Sequence, residues 1–107
     1  MDEDEVFGEH VILDLTGCKY VMDFWERIKV SFHFQDHFGK NWDAFWDMLS
    51  WECPASKVTI IGANTLPNTW KALDGRTYPE KIEKILQRNK EDMQKYNYEF
   101  DYEFIDA

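Results

Sequence analysis

Two short apolar runs, His10-Val11-Ile12-Leu13-Asp14-Leu15 and Lys57-Val58-Thr59-Ile60-Ile61-Gly62, are parted by segments of helical periodicity, and that spacing restricts the chain more than any other feature. The first run reads as a buried strand and the second, rich in β-branched residues, as another. Thr16-Gly17 turns the chain after the first. From Lys19 to Phe32, the residues Tyr20, Phe24, Trp25, Ile28 and Phe32 recur at helical intervals, with Asp23, Glu26, Arg27 and Lys29 on the other side. Ser31 to Gly39 is a polar and aromatic connection. Asn41 is a good N-cap for a second helix, in which Trp42, Phe45, Trp46 and Leu49 follow at i, i+3, i+4 and i+7. Pro54 lies beyond its end. Two helices between two strands make a crossover connection, so the strands run parallel.

The second half repeats this logic. Asn64 to Leu73 is a loop or a short helix around Trp70, and Asp74-Gly75 is a turn. Thr77-Tyr78-Pro79-Glu80 fits a capping box with Pro in the first helical turn. Ile82, Ile85, Leu86 and Met93 then form a helical stripe as far as Tyr96. Tyr98, Phe100, Tyr102 and Phe104 alternate with Glu99, Asp101 and Glu103, which predicts a last strand with one packed face and one wet acidic face. The fold class is therefore α/β, a three-stranded parallel sheet flanked by helices. Residues 1–107 are expected to form one domain, with residues 1–8 as a flexible acidic lead-in.

Charge limits the partners. The formal net charge is -9. Phosphate backbones and anionic membranes need clustered Lys and Arg, so neither nucleic acid nor membrane is the expected ligand. A basic protein partner, met quickly and in a salt-sensitive way, fits better. No apolar run approaches the length of a membrane span and no leader opens the chain, so a cytoplasmic protein is expected. Cys18 and Cys53 form no C-x-x-C pair. They read as two reduced thiols, with a single disulfide left open.

The candidate chemistry concentrates between Asp36 and Trp51, where three of the five tryptophans accompany three aspartates. Asp43 and Asp47 are four apart and share a helix face. Asp43 lies in the first turn, where the helix dipole already favours an acid. Asp47 has no such structural explanation. It is a weak helix former, and like charges at this spacing cost about 0.2–0.5 kcal/mol. That cost is small and solvated acids are common on helices, so the spacing alone leaves the pair ambiguous. The neighbouring Trp42, Trp46 and Trp51 favour a binding surface, since Trp is enriched at binding hot spots. Two carboxyls on one convex helix do not enclose a substrate, as a glycosidase pair about 5–9.5 Å apart must. His33 and His37 lack a clear third metal ligand and read as loop residues. His10 sits at a strand edge. No phosphate-binding glycine loop or nucleophile elbow is present, and neither cysteine has an evident base. No cofactor is implied. Lys81, Lys84, Arg88 and Lys90 read as ordinary helix surface.

The stretch Phe38-Gly39-x-Asn41-x-Asp43-Ala44-x-Trp46-Asp47-x-Leu49, with Trp51 just after, resembles the barstar-like ribonuclease inhibitors. The predicted order of elements matches that family along nearly the whole chain. The resemblance implies a non-catalytic inhibitor that binds a ribonuclease inside the cell that makes it. It implies that the motif helix and the preceding loop plug the nuclease active site. The acid at Asp47 would stand in for a substrate phosphate, and Asp43 would add a second charged contact. His37, Phe38, Gly39, Asn41, Trp42, Trp46 and Trp51 fall at or beside that interface. Better-known members carry a second aromatic where this chain has His37. They also carry a late-helix acid near the positions of Gln87 and Arg88, where Glu91 is the nearest acid here. The expectation is an immunity protein of a toxin–antitoxin pair, monomeric when free, whose partner is a basic nuclease toxin. The alternative is an adaptor module that uses the same face without a nuclease.

Overall fold

The computed structural model describes residues 9–34, 38–52 and 55–107, and the side chains of Glu9, Trp51, Glu52 and Ala55 are outside that description. The lead-in over residues 1–8, and with it Asp36, His37, Cys53 and Pro54, lies outside the described residues. The elements run β1 (Glu9–Asp14), α1 (Val21–Phe32), α2 (Trp42–Glu52), β2 (Ala55–Ile61), α3 (Tyr78–Lys95) and β3 (Asp101–Ile105). A 3-10 turn over Ala63–Thr65 follows β2. The three strands are parallel in the order β1-β2-β3.

Local chemistry sets the ends of these elements. The α1 helix begins at Val21 because the Asp23 carboxylate accepts hydrogen bonds from the backbone N–H groups of Lys19 and Tyr20, both at 3.0 Å. That caps the helix two residues inside the periodic stretch. The α3 helix starts on the expected capping box. The Thr77 N–H donates to Glu80 at 2.9 Å, and the Glu80 N–H donates back to the Thr77 hydroxyl at 3.4 Å. At the other end Asn97 takes a left-handed φ of 63°, and the Tyr98 N–H donates to the Met93 carbonyl at 3.0 Å. Tyr98 is thereby tied to the end of α3, exposed and outside the last strand. The strand is shorter than the alternation predicts: its ladder with β2 opens only at Asp101, opposite Lys57.

Parallel strands in sequence order, joined by crossovers of one hand, carry every connection over the same face of the sheet. Burial follows. Val11, Leu13, Val58 and Ile60 pack with Phe24, Ile28, Phe32, Phe45, Leu49, Ile82 and Leu86 in one core cluster. The alternate residues face away from it, and Ile12 and Ile105 are 54% and 45% exposed. The first strand is thus buried on one side only. Within α3 the core stripe includes Asn89, 1% exposed, whose Nδ2 has no hydrogen-bond partner among the described residues. Cys18 is a buried free thiol, and burial pushes its pKa up.

The uncovered face carries a polar chain across all three strands. Ile12, Thr59 and Glu103 are aligned in register. The Thr59 hydroxyl donates to Glu103 Oε2 at 2.8 Å and lies 2.6 Å from His10 Nε2. With its one proton given to Glu103, Thr59 must accept from His10, which places a proton on Nε2. Thr59 itself is only 4% exposed. The acidic face of β3 is therefore partly tied down, since Lys57 also lies 3.5 Å from Glu103 and Lys90 lies 3.1 Å from Asp101.

Among the described residues, six carboxyls are held below the usual range by named partners. A backbone N–H does most for Asp14, Asp74 and Glu80, and a side-chain hydrogen bond does most for Glu26 (Lys40), Asp101 (Lys90) and Glu103 (Thr59). Asp74 is the extreme case, joined to the Arg76 N–H, the Arg76 guanidinium and Lys81. A lowered folded-state value means that the unfolded chain binds more protons, so stability is lost as pH falls. The contribution is complete above about pH 5, where unfolded carboxyls are ionised, and it drains away below about pH 4. Thermal melts should show the midpoint falling steadily through that acid range. Asp74→Asn should flatten the fall. A midpoint that rose on acidification would contradict these assignments.

Candidate functional site

The α2 helix and the loop before it are positioned from both ends. Asn41 Oδ1 accepts the Ala44 N–H at 2.8 Å, so the expected N-cap is formed, and its Nδ2 donates to the Gly39 carbonyl at 3.2 Å. A Cβ on Gly39 would stand 3.2 Å from Ala44 Cβ, so a side chain there would press on the first turn of the helix. Lys40 adopts a left-handed φ of 52° and pairs with Glu26 of α1. Phe38 is 5% exposed and packs between Trp25 and Phe34, with ring centroids 6.2 and 5.1 Å away. Its ring anchors the loop while Gly39 and Asn41 stay at the surface.

The helix presents three distinct faces. Phe45, Met48 and Leu49 are buried in the core. Trp42 and Trp46 are half-buried along the rim. Trp42 meets Trp25 at 4.9 Å and Tyr78 at 5.0 Å, both edge to face. The predicted apolar stripe therefore shifts by part of a turn: Met48 goes inward, and the two tryptophans mark its boundary. Asp43 and Asp47 are exposed on the remaining face. Among the described residues neither carboxylate has a hydrogen bond or an ion pair. Aromatic neighbours do not desolvate them in the free chain, so any desolvation waits for a partner. The backbone of Trp51 closes the last turn of α2. His37 lies outside the described residues.

By periodicity alone Lys81, Lys84 and Arg88 are plain helix surface, but the fold sets them against α2. They line a cleft of about 190 Å3 with Trp42, Asp43, Trp46 and Ile85. The Arg88 guanidinium carbon lies 4.4 Å from the centroid of the Trp46 ring. The signal is available in the spacing: positions 81, 84 and 88 fall on one helical row. Nothing in the sequence, however, says that the row faces Trp46. Among the described residues, no three His, Cys, Asp or Glu side chains converge as metal ligands. No described helix is long and apolar enough to cross a membrane.

Fold and site together define a class: a parallel α/β domain, helices on one face, that presents an acidic and aromatic helix at its surface. Residues 9–105 match the family described as Barstar (barnase inhibitor), and the chain belongs to that family. It is a family of inhibitors. No curated protein matches the chain.

Proposed function

We propose that this chain is an immunity protein that binds a basic nuclease toxin, a ribonuclease, in the cytoplasm and blocks its active site with α2 and the loop before it. The observation that carries this reading is the pair Asp43 and Asp47, exposed, without a partner among the described residues, and framed by the half-buried Trp42 and Trp46. A ribonuclease cleft holds cations to grip phosphate. Asp47 enters that cleft as the phosphate substitute, and Asp43 engages a second cation at its edge. Trp42 and Trp46 frame the acids and exclude water on docking, with Trp51 counted among the partner-binding residues, which makes each charge pair strong where it is matched and costly where it is not. Gly39 and Asn41 keep the approach to the helix low, and His37 and Phe38 complete the partner-binding stretch. The protein itself is not an enzyme. It is a monomer before it meets its partner.

The net charge of -9 supports steered encounter with a basic protein. Capture from the native host should return a basic nuclease, and the purified chain should inhibit its RNA hydrolysis at equimolar ratio. Association should slow as salt rises while dissociation changes little. A captured partner without nuclease activity, or inhibition whose on-rate ignores salt, would remove the basis of this reading.

A further inference from the structure

We propose that the α2–α3 cleft is a carboxylate-reading site: Lys84 and Arg88 receive an acidic side chain of the nuclease partner while Asp47 occupies the partner's cleft. This rests on the nuclease-inhibitor reading above. The cleft opens beside the acid pair, because Asp43 belongs to both. One wall is Trp42, Asp43 and Trp46, and the other carries Lys84, Ile85 and Arg88. Lys81 at one end is already committed to Asp74 at 3.0 Å. Lys84 and Arg88 are exposed and have no carboxylate partner among the described residues. Two unpaired cations on one helical row repel each other, and an anion between them turns that cost into a gain.

The geometry is prepared for such a ligand. The Arg88 guanidinium lies over the Trp46 ring, and a guanidinium engaged there through its π face keeps N–H donors free at its edge. Those donors match a carboxylate with two parallel hydrogen bonds. Lys84 stands one turn away as a point charge. Ile85 and Trp42 supply apolar surface for the methylenes of a Glu or Asp side chain. Asp43 decides between anions. With Asp43 on the opposite wall, the set Lys84, Arg88 and Asp43 carries one net positive charge, which a single carboxylate neutralises and a phosphate dianion overshoots. A partner that sets a cation on Asp43 and a carboxylate on Lys84 and Arg88 is accepted in one orientation only, so the mixed signs fix register as well as identity.

The test follows the indole N–H resonances of Trp42 and Trp46 while acetyl-Glu-Glu-amide is added at low salt, with acetyl-Gln-Gln-amide and inorganic phosphate as parallel probes. The acidic peptide is expected to shift both resonances saturably, and the neutral peptide to leave them in place. Lys84→Gln with Arg88→Gln should weaken the response at least tenfold. Lys84→Gln alone, at an exposed position, should weaken it measurably with the fold intact. A response that survives the double variant, tighter binding of phosphate than of peptide, or no response would each overturn the proposal. The same double variant should weaken inhibition of the captured nuclease about tenfold. A chain that answers the peptide but inhibits no nuclease keeps the carboxylate site and loses the inhibitor reading. A chain that inhibits the nuclease and ignores the peptide keeps that reading and loses this proposal.

Discussion

Asp47→Ala is expected to weaken binding to the nuclease partner by about 2–4 kcal/mol, on the order of 30- to 1,000-fold, while the free protein melts at the same temperature or slightly higher. The two effects have opposite signs for separate reasons. In the free chain Asp47 is exposed in the middle of α2 and makes no ion pair among the described residues, so its removal deletes no native contact. Alanine is the better helix former by up to about 0.7 kcal/mol, and the repulsion from Asp43 disappears as well. In the complex the carboxylate would sit among cations in a closed cleft. There its loss leaves buried positive charge without a partner, a cost that outweighs the gain in helix propensity. Asp43→Ala differs in kind. It surrenders an acid in the first turn, where the helix dipole contributes about 0.3–1 kcal/mol, and this offsets the same gains in propensity and repulsion, so the free fold should gain nothing. Inhibition titrations beside thermal melts separate the two variants. Full inhibition by Asp47→Ala would end the phosphate-substitute role.

That asymmetry between the two acids is already legible in the sequence, because dipole and spacing arguments need only local order. The same holds for the Asn41 cap, the Thr77 capping box and the parallel order of strands. What stays hidden depends on which faces meet. The alternation through Tyr98, Phe100, Tyr102 and Phe104 has period two throughout, yet only Asp101 onward finds a neighbour in β2. Periodicity describes the strand's own conformation and says nothing about where its ladder begins. His10 has no evident role until the sheet sets Thr59, the register partner of its neighbour-but-one Ile12, within reach of its ring. Arg88 and Trp46 are far apart in sequence on different helices, and their contact exists only once α2 and α3 pack. Asn89 lies within the apolar stripe of α3, where a polar residue obscures the pattern that would otherwise mark a core position.

Gly62→Ala is expected to cost about 2–5 kcal/mol of stability, enough to lower the melting midpoint by about 10–30 °C in a chain of this size. Gly62 follows β2 with φ of 77°, a left-handed conformation that charges an L side chain about 1–2 kcal/mol. A Cβ there would also stand 2.1 Å from the Thr16 hydroxyl and 2.9 Å from the Thr16 backbone nitrogen. The hydroxyl could rotate away, but the nitrogen cannot. The Thr16 N–H donates to Asp14 at 2.9 Å, and the Thr16 carbonyl accepts from Arg27 at 2.6 Å. Around this point the ends of all three strands are joined: the Leu15 N–H donates to Ile61 at 2.8 Å, and the Gly62 N–H donates to Ile105 at 2.9 Å. A side chain at Gly62 therefore pushes β1 away from β2 at the place where β3 is also held, and the sheet cannot yield one strand alone. Thr16→Ala in the same chain should restore part of the loss by removing the hydroxyl, and none of the left-handed cost. A thermal melt of the single and double variants measures both shares. A Gly62→Ala protein that melts like the parent would mean that the strand ends are not locked in this way.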